Sequence, residues 1–232
     1  MNINHGLENS PRKISLVAGI LYLLTFISVP TLSLYGPVHD PNYILGSEPD
    51  TNILIGGILE IIVALAGIGT ALVLYPILKK QNQILALGLV SIRTLEASTI
   101  LLGVAFLLSI VTIHQANLGI DALVTGQALV ALYDRIFLLG QSFMPVIVDL
   151  ILGYIFFKSQ LIPRTLSILA LVGAPLLLSS DILVFFGVIG RFDSYVVIAT
   201  IPVALFEISL GIWLIARGFN TNAPILVKMK SN

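Results

Sequence analysis

Six runs of apolar residues, separated by short polar segments, set the architecture of the chain. They cover about Ile14 to Leu34, Ile53 to Leu78, Ile84 to Ile113, Tyr133 to Phe157, Thr165 to Val188 and Tyr195 to Ala216. Each is long enough to cross the hydrocarbon core of a bilayer, which takes about 20 residues of helix. The pattern predicts an all-α integral membrane bundle of six transmembrane helices in a single domain over residues 1–232. The run from Tyr133 differs from the rest because Asp134, Gln141, Ser142, Pro145 and Asp149 interrupt it. At 100° per residue these five fall within roughly 100° of one another around an α-helix, in a polar seam about 22 Å long. Such a seam must face protein or water, so the other helices are expected to pack around it.

The polar segments are informative in their own right. Residues 35–52 are rich in Pro, Gly, Asn and Asp and predict turns rather than helix. Asp121 is a candidate N-cap for an amphipathic segment over 122–132, lying at the outer interface or extending the fourth helix outward. The links at 79–83 and 158–163 are short, so helices two and three, and four and five, should form antiparallel hairpins. Arg12, Lys13, Lys79, Lys80, Lys158, Arg164, Arg217, Lys228 and Lys230 fall on the side shared by both ends of the chain, and Arg191 alone among loop cations falls opposite. The excess of cations on one side predicts that both termini face the cytoplasm. A bacterial cytoplasmic membrane is the expected location.

Composition narrows the chemistry. Charged residues make up only 10% of the 232, and twelve basic residues balance twelve acidic ones, which gives no footprint for nucleic acid. There is no cysteine, hence no thiolate ligand, Fe–S centre or cysteine nucleophile. No HExxH, GxSxG or Walker loop occurs, no Lys lies within a span, and no ladder of arginines suggests voltage sensing. Ser142 has no base near it in sequence. These features predict no catalytic residues, no cofactor and no metal.

The charges inside the runs carry the functional signal, since each costs roughly 2.5–3.5 kcal/mol to insert at mid-bilayer. Counting at 1.5 Å per residue from the helix ends places Arg93, Glu96, Asp149 and Glu207 in one layer near the midplane, and Glu60 and Asp181 in a second layer nearer the outer face. Asp134 and Arg135 come closer still to the surface. Arg93 and Glu96, three apart, can pair on one helix, and Arg93 has the reach to hold Asp149 or Glu207. Either layer holds more carboxylates than cations, so protons, water or a cation must make up the balance. Pro145 removes the N–H that would bond the Gln141 carbonyl and frees an oxygen at depth. Tyr22, Tyr35, Tyr75, Tyr154 and Trp213 read as interface anchors or packing, and His39 and His114 as loop histidines without a specific role.

The segments YGPVHDPNYILG (35–46), LALGLVSIRTLEA (85–97), LIPRTLSILALVGAPLLL (161–178) and FEISLGIWLIARGFN (206–220) resemble those of a bacterial membrane family catalogued as domain of unknown function 4386. The resemblance runs from about Arg12 to Asn220 and implies a multi-pass helical bundle, with no particular activity or cofactor. Glu60, Arg93 with Glu96, and Glu207 match features of that family. Where many of its members read His-Asp, this chain has Tyr133-Asp134, which puts a proton relay through that histidine in doubt.

The expected function is binding or transport of a small cationic or polar solute, coupled to protons, with Glu60, Arg93, Glu96, Asp134, Gln141, Asp149, Asp181 and Glu207 as candidate binding residues. The competing expectation is a non-catalytic sensor or scaffold whose intramembrane ion pairs are purely structural. In both, the lipid bilayer is the surrounding partner.

Overall fold

A computed structural model describes residues 10–230. Residues 1–9 and 231–232 lie outside the described residues, as do the side chains of Lys228 and Lys230. The described residues form helices joined by turns and contain no strand. Helix α1 (Pro11–Leu24) starts where the Ser10 hydroxyl accepts from the Lys13 N–H at 3.4 Å and Pro11 takes the first turn. Proline fits there because the first N–H groups of a helix have no internal partner. The first apolar run does not stay regular. After α1 it tightens into a 3₁₀ turn over Thr25–Ile27 and then resumes as α2 (Ser28–Leu34). Thr25 and Thr31 turn their hydroxyls back onto the carbonyls of Tyr22 and Ser28, a bond that bends helices.

The long helices follow: α3 (Thr51–Leu78), α4 (Gln83–Gln115), α5 (Leu123–Phe137), α6 (Met144–Ser159), α7 (Arg164–Phe185), α8 (Ser194–Ala216) and the short α9 (Pro224–Lys230). Asn82 caps α4 by accepting from the Leu85 N–H at 3.0 Å, and Asp193 caps α8 by accepting from Tyr195 at 2.9 Å. Left-handed Gln160 (φ 58°) ends α6. The expected cap at Asp121 is not formed. Asp121 lies inside a 3₁₀ turn (Gly119–Ala122), and Ala122 occupies the N-cap of α5 without a side-chain bond.

Of the two expectations for segment 122–132, the helical one holds: it continues the fourth helix at its N-terminal end. α5 and α6 are joined by a π-helical segment, Leu138–Phe143, giving one helical stretch of 41 residues from Gly119 to Ser159. Pro145 lies in the first turn of α6, directly after the π segment, and without an N–H it makes no bond back to the carbonyls of that segment. The break expected at one carbonyl therefore becomes a wider turn just before the proline. That turn rotates the residues before it relative to those after it, so the seam drawn at 100° per residue does not persist as one stripe.

α3 packs on α4, α6 on α7, α7 on α8, and α1 closes the bundle against α3 and α8. Among the described residues the core has two large parts, with two small clusters around Ala64 and Ala174 beside them. One part, around Tyr22, Leu74, Leu89, Leu152, Phe156, Phe206 and Leu210, fills the half containing the start of α1 and the 160–163 link. The other, around Tyr35, Ile53, Leu107, Ile110 and Tyr133, lies under the turns of residues 35–50, which fold as 3₁₀ pieces with Val38, Tyr43 and Ile44 buried. At the first end, the Arg12 guanidinium donates to the Leu214 and Ile215 carbonyls (3.2 and 2.6 Å), supplying both donors and positive charge to the C-terminus of α8.

Outward-facing side chains are strongly apolar: Leu65, Leu72, Leu87, Val172 and Leu205 are all exposed, while Glu60, Arg93, Asp149 and Asp181 are buried. Among the described residues, five helical stretches are long and apolar enough to cross a membrane: Thr51–Leu78, Gln83–Gln115, Gly119–Ser159, Arg164–Phe185 and Ser194–Ala216. The first run, broken at Thr25–Ile27, is not among them.

The α1/α8 crossing is close enough that a Cβ on Gly19 would meet the Gly211 carbonyl oxygen at 2.8 Å. Backbone cannot move aside as a side-chain tip can. Gly19→Ala should therefore destabilise the fold by about 1–3 kcal/mol, the usual cost of overpacking, read as a lower unfolding midpoint in detergent. An unchanged midpoint would show that the two helices do not cross this closely.

Candidate functional site

The inner layer assembles around Arg93. One guanidinium nitrogen donates to both carboxylate oxygens of Glu96 (3.0 and 2.9 Å), and another donates to the Tyr22 hydroxyl at 3.2 Å. The guanidinium also lies 5.5 Å from the centroid of the Tyr22 ring. Glu207 is a charged neighbour of Tyr22 and Arg93. Arg93 does not grip Asp149 or Glu207 directly, contrary to the sequence expectation; Glu96 takes its donors first, being on the same helix face three residues on. Asp149 is fully buried with Glu207, Arg93 and Glu96 as its charged neighbours, yet neither of its oxygens has a hydrogen-bond partner. Three carboxylates thus share one guanidinium, a formal surplus of two negative charges. Beside them is a cavity of about 100 Å³ whose polar lining includes Thr25, Ser28, Arg93, Glu96, Gln141 and Glu207. A space of that size holds several water molecules or a small cation.

The outer layer does not form a single cluster. Glu60 accepts from Thr31 at 2.9 Å and from Gln141 at 2.8 Å, so α2, α3 and the π segment meet at one carboxylate. Asp181 accepts from Ser142 at 2.6 Å, while its other oxygen has no partner. Neighbouring residues of the π segment therefore point to different places: Gln141 to the inner cavity and Glu60, Ser142 to Asp181. Asp134 lies farther out and accepts from Arg191 at 3.0 Å and His39 at 3.1 Å, with the Arg191 guanidinium 3.6 Å from the Phe137 ring centroid. Arg135 is exposed and plays no part in that pairing.

Four features escaped sequence reasoning. Tyr22, read as an anchor or packing, is buried in the core and also takes a hydrogen bond from Arg93, with Glu207 as a charged neighbour. A depth count would have found it, since it lies about 16 Å from Pro11 along the helix, too deep for a headgroup contact. Arg191, read only as a loop charge, pairs with Asp134. His39 and His114, read as unremarkable, both bind carboxylates. Asp50 receives His114 Nδ1 at 2.8 Å, Gln115 at 2.9 Å and the Tyr43 hydroxyl, and Tyr43 stacks on His114 with centroids 4.5 Å apart. These contacts fasten the 35–50 turns to the ends of α4 and α5, and no sequence spacing reports partners so far apart in the chain.

Apolar outward faces, a polar interior and five stretches able to span define the class: a multi-pass, all-helical membrane protein. Its family follows from sequence comparison. The family model described as Domain of unknown function (DUF4386) matches residues 17–218, and the chain belongs to that family. No curated protein and no solved structure matches it. Among the described residues no group of three or more His, Cys, Asp or Glu is arranged to hold a metal ion.

Two predictions follow from the charges. Removing Arg93 leaves Glu96 buried and uncompensated, so Arg93→Met should cost about 3–5 kcal/mol, and the double change with Glu96→Met much less. Equal losses in chemical unfolding would contradict the pairing. At the turns, the hydrogen bond to Asp134 raises His39 above its ordinary 6.5, despite the opposing effect of burial. For Asp50, burial pushes upward but the bonds from Tyr43, Gln115 and His114 outweigh it and hold the carboxyl below its ordinary 3.8. A raised histidine stabilises the fold fully below its unfolded value and loses that contribution as pH rises through its folded value. A lowered carboxyl stabilises above its unfolded value and loses its contribution as pH falls through its folded one. Melting temperature should therefore decline as pH rises past 6.5, a decline His39→Gln removes, and decline again below 3.8, where Asp50→Asn is flat.

Proposed function

We propose that the chain is a permease of the bacterial cytoplasmic membrane, whose inner cavity binds a small cationic solute and exchanges it with protons. In this reading the broken run of α1 and α2 is a sixth crossing, since 24 helical residues extend about 36 Å. Both termini face the cytoplasm, by the excess of Lys and Arg at the end shared by Arg12, Lys79, Lys158, Arg164 and Arg217. Glu96, Asp149 and Glu207 supply charge, and Arg93 with Tyr22 holds them in register. Gln141 and Glu60 line the way outward, and Asp134 and Asp181 stand nearer the outer mouth.

The observation that carries this reading is the buried surplus of carboxylates beside a cavity, with both Asp149 oxygens unpartnered. A buried carboxylate without donors is costly, and a structural role would be better served by an apolar residue. A proton or cation that comes and goes gives the acid a reason to be there.

A second reading rests on the Arg93–Glu96 pair, which is so fully satisfied that it would serve as a helix clamp in a sensor or scaffold. Proteoliposomes with an imposed pH gradient and a pH-reporting dye separate the two. Asp149→Asn and Glu207→Gln should each lower cation-dependent proton flux at least tenfold while the melting temperature holds or rises. Wild-type flux in both variants, or no flux with any small cation together with a lower melting temperature, would favour the scaffold.

A further inference from the structure

A second pocket, of about 320 Å³, lies between α5, the π segment, the end of α7 and the start of α8, and shares no residue with the inner cavity. Its walls are largely apolar, but four charged residues line it: Asp134, Arg135, Asp181 and Arg191. Two of them are already matched, because Arg191 donates to Asp134. The other two are not. Asp181 is only 1% exposed, yet its second carboxylate oxygen has no hydrogen-bond partner. Arg135, exposed on the same pocket, has no hydrogen bond or ion pair among the described residues.

An unmatched acid at depth and an unmatched guanidinium farther out complement a ligand that carries both charges. We propose that this pocket binds a small zwitterion with a primary ammonium. The ammonium donates to the free oxygen of Asp181 and to Ser142, whose own hydrogen is committed to Asp181 and whose oxygen remains an acceptor. The oxyanion of the ligand meets Arg135, whose planar fork suits carboxylate and phosphate alike. Ser142 and Arg135 are seven residues apart, about 10 Å along the axis, an interval that a guanidinium on a long stem and a short ligand bridge together. An ammonium and an oxyanion joined by a short linker occur in free amino acids, in phosphoethanolamine and in the phosphatidylethanolamine headgroup. This site stands whether or not the inner cavity transports anything.

The test is calorimetric binding of glycine, β-alanine and phosphoethanolamine to the full chain in nanodiscs made of phosphatidylcholine alone. Ethanolamine and inorganic phosphate serve as single-charge controls, and phosphocholine as a cation without N–H donors. At least one zwitterion should bind ten or more times tighter than every control. Asp181→Asn and Arg135→Gln should each weaken it at least tenfold, and Glu207→Gln, on the other cavity, should leave it unchanged. Arg135 is exposed, so its variant keeps the test valid even if Asp181→Asn fails to fold. Adding phosphatidylethanolamine to the nanodisc identifies the source: competition with the free zwitterion assigns the site to a lipid headgroup, and its absence to a soluble molecule. Equal binding of ethanolamine, undiminished binding in both variants, or no binding of any zwitterion in either lipid would overturn the proposal.

Discussion

One guanidinium in the middle of the bundle determines much of what surrounds it. Arg93 is 4% exposed, and a bare charge at that depth is tolerated only with partners. Glu96 gives it two oxygens from its own helix, and Tyr22 brings in α1. Glu207 on α8 and Asp149 on α6 are its further charged neighbours. Side chains from four helices meet around one point, and α1 and α4 are bonded there, in a medium where apolar surfaces give helices little reason to associate. The surplus of carboxylate then follows, because Glu96 alone already balances the charge of the one arginine, and Asp149 and Glu207 stand beside that pair.

The π segment sets how the interior is divided. It places Gln141 and Ser142, adjacent in sequence, on opposite sides of a helix wall, one lining the inner cavity and the other the outer pocket. Wide turns of this kind are found often at functional sites, and a proline just beyond one removes a bond that would otherwise pull the helix back to regular spacing. Gly140 makes the wall thin, since a Cβ there would collide with the Thr99 hydroxyl on α4.

Five of the six runs were legible as stretches able to span, because lipid demands long apolar stretches and leaves little room for ambiguity. Arg93 with Glu96 was legible as well, being a spacing of three on one helix. The turns of 35–52 announced themselves through Pro, Gly and Asn. What could not be read depended on contacts between distant parts of the chain: Asp50 with His114, Asp134 with Arg191, Tyr22 with Arg93. The seam on the fourth helix failed for a different reason. It assumed one helical repeat throughout, and the π turn at Leu138–Phe143 breaks that assumption between Asp134 and Asp149. The first run looked uniform because a 3₁₀ turn held by threonine hydroxyls leaves no gap in hydropathy.

The central claim is that the interior charge is balanced by something exchangeable. Proton release into weakly buffered solution, on adding small cations to the protein in nanodiscs, tests it most directly. The account predicts that a cation which binds displaces protons from wild type, and displaces far fewer when Asp149→Asn and Glu207→Gln are combined. Cation binding with no proton release, or the same release from the double variant, would contradict it.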